Sequence, residues 1–262
     1  FLPEVKIMTV KGSDLNIKVT TKQDIIIADR LLRLNNSEYK IGSEDLKKLA
    51  GKVVVIFGGS SGIGLELLNI CNKYKAKAIS FSCSFGVDVS NLNEVKKALS
   101  KVNKEHGKID YIVNTSGILI KKDLNKLCYE EITNIINVNY IGSINIAKEG
   151  YKYLKKTQGG LLFYTSSSYT KGRASYSIYS SSKAAIVNLT QAIAEEWIDD
   201  KIRVNCINPQ RTKTPMREKS FGKEDEASLL SAEFVAENSA TVLVSNLSGQ
   251  IIDVRTDDEK ES

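Results

Sequence analysis

The sequence predicts a three-layer α/β protein, in which a doubly wound parallel sheet lies between two layers of helices and follows a short segment of different character. From residue 51 onward, runs of consecutive apolar residues alternate with amphipathic stretches of helical period. A strand that is buried on both faces is apolar at successive positions. Because strands separated by helices pair in parallel, this alternation predicts one parallel sheet with helices on both faces.

Residues 1–36 predict the end of a separate domain, and the polar residues 37–50 predict a linker. Alternating side chains, turn residues and a capping-box spacing of Thr21 and Asp24 predict short elements, namely strands at 5–10 and 16–20, a turn at 11–14 and a helix at 24–34. The chain starts with Phe1 and lacks both the basic start and the apolar core of a signal peptide. We therefore expect it to begin inside a longer protein.

Residues 51–255 carry the predicted sheet, and residues 256–262 are a polar tail that we expect to fray. The predicted strands are residues 53–57, 78–82, 111–114, 161–165, 203–207 and 251–254. The predicted helices are residues 65–74, 94–105, 132–155, 179–198 and 231–244.

Composition excludes several classes of protein. The chain has 262 residues, 42% of them hydrophobic and 26% charged, which is typical of a globular domain with a sizeable core. Its longest apolar run, residues 53–57, is far shorter than the roughly 20 residues of a membrane span. The four cysteines and the single histidine have no metal-site spacing, so we expect no metal and a reducing, cytoplasmic setting.

The net charge of +6 identifies no partner on its own. Such an excess fits nucleic acid, an anionic membrane, a phosphorylated small molecule or simply lysines on solvated helix faces. Because the charge is spread along the chain, we expect neither a nucleic-acid nor a membrane partner.

A glycine-rich turn follows the first predicted strand directly and opens the first helix. Its spacing is Gly-x-x-x-Gly-x-Gly, from Gly58 through Gly62 to Gly64. Glycines let the backbone lie against a pyrophosphate, and the helix N-terminus offers free N–H groups and a positive dipole. The turn therefore predicts a dinucleotide phosphate site.

Tyr179 and Lys183 form a Tyr-x-x-x-Lys unit, which on a helix places phenol and ammonium on one face, a turn apart. A nearby lysine cation stabilises a phenolate and lowers the pKa of the tyrosine from about 10. The pair therefore predicts a tyrosine that transfers protons near neutral pH.

Together these residues resemble the short-chain dehydrogenases/reductases over about residues 50–255. The resemblance rests on the glycine turn, on Tyr179 and Lys183, and on Asn114-Thr115-Ser116-Gly117, Asn139, Ser166 and Asn208-Pro209 with Thr214-Pro215-Met216. It implies a Rossmann-type fold, a homo-oligomer, a nicotinamide coenzyme and a catalytic tetrad of Asn139, Ser166, Tyr179 and Lys183. Ser166 would bind the substrate oxygen and Asn139 would hold a water, although Ser167 and Ser168 leave the choice of serine to spacing alone.

The resemblance also implies the coenzyme contacts. They are Gly58, Ser60, Ser61, Gly62, Ile63, Gly64, Ser82, Asp88, Val89, Asn114, Gly117, Tyr179, Lys183, Pro209 and Thr214. Ser82 stands where NAD-dependent members carry an aspartate for the ribose 2′-OH, which favours NADP(H) over NAD(H). Cys83 stands where an arginine would clamp the 2′-phosphate, so NAD(H) stays open. The connection from the second strand to residues 87–89 is short, which predicts a reduced sheet there.

Basic residues occur in the two segments that line the substrate pocket in this family. They are Lys171, Arg173, Arg211, Lys213 and Arg217. Residues 165–216 are similar to the reductase part of the bifunctional bacterial enzymes that make CDP-ribitol, which implies reduction of ribulose 5-phosphate to ribitol 5-phosphate. We expect Lys171, Arg173 and Arg211 to bind the sugar phosphate, because arginine suits phosphate oxygens.

Residues 12–34 resemble the C-terminal end of methylerythritol-phosphate cytidylyltransferases, in which the lysine at Lys18 contacts a substrate phosphate. The CTP loop of that family is missing from this sequence, so we expect no cytidylyl transfer by this segment. Two other functions compete: a reductase of another carbonyl, such as a 3-oxoacyl thioester or another sugar, and a cofactor-binding regulatory or scaffold domain. Scaffold domains commonly lose the Tyr or the Lys, and both are present here.

Overall fold

The computed structural model describes residues 17–25, 27–28, 45–256 and 259. The chain divides into two compact units, residues 1–40 and 41–262. The strand at 5–10, the turn at 11–14 and most of the helix predicted at 24–34 lie outside the described residues. Residues 22–25 and 27–28 are helical.

The predicted capping box is confirmed. The Thr21 N–H donates to the Asp24 carboxylate at 2.6 Å, and the Asp24 N–H donates to the Thr21 hydroxyl at 3.3 Å. The strand predicted at 16–20 is wrong for residues 17–20, which form no regular structure. The Thr20 N–H instead donates to the Asp24 carboxylate at 2.8 Å. This N–H group is therefore bonded within the helix cap and not to a neighbouring strand.

Within residues 45–256, six parallel strands form one sheet in the order β2-β1-β3-β4-β5-β6. They are β1 (Val53–Phe57), β2 (Lys77–Phe81), β3 (Tyr111–Asn114), β4 (Gly160–Tyr164), β5 (Arg203–Pro209) and β6 (Ile251–Val254). Val54 and Ile56 of β1 pack in the core on one face, and Val53, Val55 and Phe57 in the core on the other. The predicted doubly wound α/β class is confirmed.

The described residues 45–256 also contain seven α-helices. They are α1 (Gly62–Lys73), α2 (Leu92–His106), α3 (Tyr129–Ile136), α4 (Gly142–Thr157), α5 (Ser177–Glu196), α6 (Pro215–Phe221) and α7 (Ala232–Val244). The helix predicted at 132–155 is divided into α3 and α4 by a π-helical turn, Asn137–Ile141. Among the described residues, no helix combines the length and the apolar character that a membrane span requires.

The start of the folded unit differs from the prediction. Part of the predicted linker is a 3-10 helix, Asp45–Leu49, in which Leu46 and Leu49 are buried against the core that includes α7. At the other end, the carboxylate of Glu259 accepts a hydrogen bond from the Ser231 hydroxyl. The folded unit therefore starts before residue 51, because two leucines in an otherwise polar stretch pack into the core.

The sheet is reduced at its β2 edge, as predicted. A short 3-10 turn, Cys83–Phe85, follows β2, and residues 87–89 belong to no strand. On leaving β1 the chain pairs first with β2 on one side and then with β3 on the other. The carboxyl ends of β1 and β3 thus form a topological switch point, where open α/β sheets bind their ligands.

Candidate functional site

A cavity of about 730 Å³ lies at this switch point, over the carboxyl ends of the strands. The glycine turn after β1 forms one end of it, and the loops after β4 and β5 form the other. Of the predicted residues, it is lined by Gly58, Ser60, Ser61, Gly62, Ile63, Gly64, Ser82, Asp88, Val89, Gly117, Ser166, Arg173, Tyr179, Lys183, Pro209, Arg211 and Thr214. Asn114, Asn139 and Lys171 are not among its lining residues.

The glycine turn fits a dinucleotide phosphate. A Cβ on Gly58, whose φ is +90°, would lie 2.6 Å from the Ser116 backbone nitrogen, and one on Gly64 would lie 2.5 Å from the Gly58 carbonyl oxygen. Ser61 is the N-cap of α1, yet its side chain makes no cap hydrogen bond. The first N–H groups of α1 are therefore available to an anion at the helix N-terminus.

The residues after β2 carry no carboxylate at the Ser82 position. The Ser82 hydroxyl lies 2.8 Å from that of Ser84, and the exposed Cys83 lines the cavity beside it. The Asp88 carboxylate accepts a hydrogen bond from the Ser90 N–H at 2.8 Å. At the Ser82 position, this end of the cavity therefore presents hydroxyl groups and a thiol rather than a carboxylate.

Tyr179 and Lys183 lie one turn apart on α5, both buried and both facing the cavity. The Lys183 Nζ donates to the Tyr164 carbonyl oxygen at 2.9 Å and lies 5.6 Å from the centroid of the Tyr179 ring. Burial lowers the pKa of Lys183 to about 8 and raises that of Tyr179 to about 12. The predicted lowering of the Tyr179 pKa is therefore wrong for this structure, because desolvation outweighs the neighbouring charges.

Ser166 contacts Tyr179, and its hydrogen bond lowers the pKa of the phenol against the larger effect of burial. The Ser166 hydroxyl also accepts a hydrogen bond from the Ser168 hydroxyl at 3.2 Å. It lies at the N-cap of a 3-10 turn, Ser167–Tyr169, that follows β4. Of the three serines, Ser166 is the one whose hydrogen bond acts on the Tyr179 phenol, and the Ser168 hydroxyl donates to Ser166.

Asn139 and Asn114 shape the loop that carries Gly117. Asn139 is fully buried in the π-helical turn; its amide accepts from the Ile118 N–H at 2.8 Å and donates to the Ser182 hydroxyl at 3.1 Å. The Asn114 amide donates to the Ser143 hydroxyl at 3.1 Å. Because both amides are committed to protein atoms, the water expected at Asn139 stays a prediction.

The basic residues divide into two groups. Arg173 and Arg211 line the cavity, and neither forms an ion pair with a carboxylate of the described residues. Lys171 is exposed outside the cavity. The Lys213 Nζ lies 2.6 Å from the Glu226 carboxylate, also outside it. Two of the three predicted phosphate-binding residues, Arg173 and Arg211, therefore line the same cavity as Tyr179 and Lys183.

One wall of the cavity, formed by α6 and the residues after it, was not predicted from the sequence. Tyr176 and Phe221 form an edge-to-face contact at 5.9 Å, and Glu224 makes a two-bond ion pair with Arg217. Helix α6 is too short to show a period, but Thr214 as N-cap followed by Pro215 is a start signal that could have located it. No group of three or more His, Cys, Asp or Glu side chains in the described residues could hold a metal ion.

Comparison with known proteins gives matches over most of the chain. Residues 67–225 match the short chain dehydrogenase family. The chain is 50% identical over 262 residues to the bifunctional ribulose 5-phosphate reductase/CDP-ribitol pyrophosphorylase Bcs1 of Haemophilus influenzae, covering 99% of this chain and 55% of that protein. It thus spans about half the length of this relative. It is 29% identical over 203 residues to the 3-oxoacyl-[acyl-carrier-protein] reductase FabG of Thermotoga maritima, covering 70% and 82%.

Solved structures share the fold. The ligand-free aldohexose dehydrogenase of Thermoplasma acidophilum superposes with a TM-score of 0.73 at 23% identity, covering 80% of this chain and 94% of that one. The 3-ketoacyl-(acyl-carrier-protein) reductase of Brucella melitensis, complexed with NADH, has a TM-score of 0.73 at 24% identity, covering 79% and 98%.

Proposed function

The chain belongs to the short chain dehydrogenase family, and we propose from this that it reduces the keto group of ribulose 5-phosphate to ribitol 5-phosphate for CDP-ribitol synthesis. The observation that carries the proposal is one cavity that joins Tyr179, Ser166 and Lys183 to the unpaired Arg173 and Arg211. The name of the relative from Haemophilus influenzae, 50% identical to this chain, supports the same substrate.

The coenzyme is a nicotinamide dinucleotide, and NADP(H) is preferred over NAD(H). The glycine turn and the N-terminus of α1 would hold its pyrophosphate. Ser82, Asp88 and Val89 would hold its adenosine end, and Gly117, Pro209 and Thr214 would hold its nicotinamide end. Asn114 accepts a hydrogen bond from the Ser116 N–H and fixes the loop of Gly117. Ser82 supports NADP(H), since no carboxylate there repels a 2′-phosphate. When bound, the reduced nicotinamide supplies a hydride to the carbonyl carbon of the substrate.

Tyr179 acts as the general acid. It donates its phenolic proton to the carbonyl oxygen while negative charge develops there, and Ser166 donates a hydrogen bond to the same oxygen. Lys183 stabilises the phenolate that Tyr179 becomes, because a cation close by favours the charged form. Asn139 positions the loop through Ile118 and holds the water that returns a proton.

Arg173 and Arg211 bind the phosphate of the substrate. A guanidinium group presents its donors in a planar fork that suits phosphate oxygens, and neither arginine forms an ion pair with a described carboxylate. Lys171, which is exposed outside the cavity, contributes only long-range attraction. A bound sugar phosphate would then have its phosphate at the arginines and its keto group at Tyr179.

We also propose three further properties. The first is that residues 1–36 are the C-terminal part of a cytidylyltransferase-like domain; the others are that the enzyme is a homo-oligomer and that it works in the cytoplasm. The word pyrophosphorylase in the name of the Haemophilus influenzae relative supports the first of these. The partner is a small molecule rather than a nucleic acid or a membrane.

The test is coenzyme oxidation by the purified chain with ribulose 5-phosphate, unphosphorylated ribulose and a 3-oxoacyl thioester, each with NADPH and with NADH. We expect kcat/KM for ribulose 5-phosphate to exceed that for ribulose by about 100-fold or more, because charge-assisted bonds to phosphate contribute a few kcal/mol. Equal turnover of the two sugars would contradict the proposal. Faster turnover of the thioester would identify a reductase of another carbonyl, and no turnover at all a binding module.

A further inference from the structure

Arg217 and Glu224 form an ion pair that lines the substrate side of the cavity. The guanidinium Nε lies 2.6 Å from one carboxylate oxygen, and Nη2 lies 2.8 Å from the other. Both side chains are about one-fifth exposed, at 20% and 21%. The carboxylate thus occupies the fork of Arg217 in the geometry that a phosphate group would adopt.

The aromatic residues beside the pair connect it to the reacting groups. The Arg217 guanidinium lies 4.5 Å from the centroid of the Phe221 ring. Phe221 contacts Tyr176 edge to face, and Tyr176 contacts Tyr179 in the same way at 6.2 Å. The planar guanidinium of Arg217 therefore contacts Phe221 with its face and Glu224 with its N–H edge. Both contacts lie in the cavity that Tyr179 also lines.

The charges around Glu224 are unusual for a site that takes a phosphate. Its pKa is held below its usual value, first by the hydrogen bond with Arg217 and also by the charges of Arg211 and Lys121. Glu224 is therefore ionised at neutral pH. An anion facing a phosphate site repels the phosphate unless the two compete for the same cation.

We propose that Glu224 is an internal competitor for the phosphate of the substrate. It holds Arg217 in the free enzyme and yields it to the incoming phosphate, so that Arg217 joins Arg173 and Arg211 as a third phosphate-binding arginine. This inference rests on the proposed function. A phosphate dianion displaces the carboxylate because it carries more charge and offers the fork equivalent oxygens.

The backbone between the two residues allows the exchange. Gly222 ends α6 with φ +76° and ψ −163°, a combination that is essentially confined to glycine. A Cβ on Gly222 would meet no atom within 4 Å, so no neighbouring segment packs against that side of the Gly222 backbone. Glu224, two residues further on, can turn away from Arg217 without displacing the core.

Another basic residue of the same segment provides a matched control. Lys213 pairs with Glu226 at 2.6 Å, but these side chains are 61% and 76% exposed and lie outside the cavity. Exposed pairs of this kind contribute little, whereas the Arg217 pair lies where the substrate must bind. Changes at Lys213 and Glu226 therefore test for general effects of charge.

The experiment measures the inhibition constant of inorganic phosphate and the KM of ribulose 5-phosphate in five variants. We expect Glu224→Gln to lower both by about fivefold or more, since the amide no longer neutralises Arg217. We expect Arg217→Gln to raise both by about tenfold or more. In the double variant the gain from Glu224→Gln should vanish, because no guanidinium is released. Lys213→Gln and Glu226→Gln should change neither constant.

Other outcomes overturn the proposal. If Glu224 only clamps the segment, Glu224→Gln would raise the KM of ribulose and of ribulose 5-phosphate alike. If the unmodified protein prefers ribulose 5-phosphate but Glu224→Gln and Arg217→Gln leave phosphate inhibition unchanged, this inference fails and the proposed function stands. Equal turnover of ribulose and ribulose 5-phosphate by the unmodified protein would overturn both.

Discussion

The Nζ of Lys183 donates to the carbonyl oxygen of Tyr164, 2.9 Å away, at the end of the strand beside its helix. Lys183 is buried, and burial lowers its pKa from 10.5 to about 8. One neutral carbonyl cannot replace the water that a buried ammonium loses. The site thus holds this cation at a cost to the stability of the fold.

That cost predicts how the stability of a Lys183→Met variant depends on pH. Below about pH 8 both the folded and the unfolded states of the natural protein are protonated at Lys183, and the cost is fully present. Between about pH 8 and pH 10.5 only the unfolded state holds the proton, so stability rises with pH, by about 3 kcal/mol in all. The variant lacks this gain, and its melting temperature relative to the natural protein should fall as pH rises from 7 to 10.

A difference in melting temperature that stays constant from pH 7 to 10 would show that Lys183 keeps its ordinary pKa. Both proteins contain Tyr179, whose phenol has a pKa of 10.0 in the unfolded state and about 12 in the folded state. As pH rises above 10, Tyr179 therefore destabilises the fold of both proteins equally. The comparison therefore isolates Lys183.

Tyr179→Phe should lower kcat for carbonyl reduction by about 10²- to 10⁴-fold, the usual contribution of a general acid. The ring contact with Tyr176 is retained, so the fold should persist with a similar melting temperature. Tyr129→Phe, at a tyrosine that is exposed on α3, is the matched control and should keep full activity. Activity that survives Tyr179→Phe would exclude this residue as the acid.

Ser166→Ala should lower kcat by about 10-fold or more, because the substrate oxygen and the phenol lose the same hydrogen-bond partner. Ser167→Ala removes a hydroxyl that forms no hydrogen bond with the Tyr179 phenol and should leave kcat within about twofold. Steady-state rates of the two variants at saturating substrate make the comparison. A larger loss for Ser167→Ala would reverse the assignment.

Gly58→Ala should destabilise the fold by about 2 kcal/mol or more, since φ is +90° there and a Cβ would overlap the Ser116 backbone nitrogen. Gly172→Ala is the control, because a Cβ at that position meets no atom within 4 Å. Urea unfolding midpoints of the two variants measure the difference. Equal midpoints would mean that the turn after β1 is not packed as described.

Much of the fold could be predicted from local patterns. The strands at residues 53–57, 111–114 and 251–254 have the predicted bounds, because each contains a short run of apolar residues. The break between α3 and α4 could not be predicted, since the π-helical turn at 137–141 follows from the burial of Asn139 against Ile118 and Ser182, partners that are distant in sequence.

The site was predictable to a similar extent. Spacing located the glycine turn, Tyr179 and Lys183, and the structure brings them into one cavity. Spacing could not show that Arg173 lines the cavity and Lys171 does not, because both lie in one irregular loop. The pKa of Tyr179 was predicted in the wrong direction, since burial is a property of the tertiary structure and not of the Tyr-x-x-x-Lys spacing.

The most direct test of the central claim is the identity of the product. The purified chain is incubated with ribulose 5-phosphate and a reduced coenzyme that carries deuterium at the transferred position, and the sugar phosphates are examined by mass spectrometry. The account predicts ribitol 5-phosphate with one deuterium on the carbon that was the carbonyl. Oxidised coenzyme without labelled ribitol 5-phosphate, or unchanged ribulose 5-phosphate at every coenzyme concentration, would contradict it.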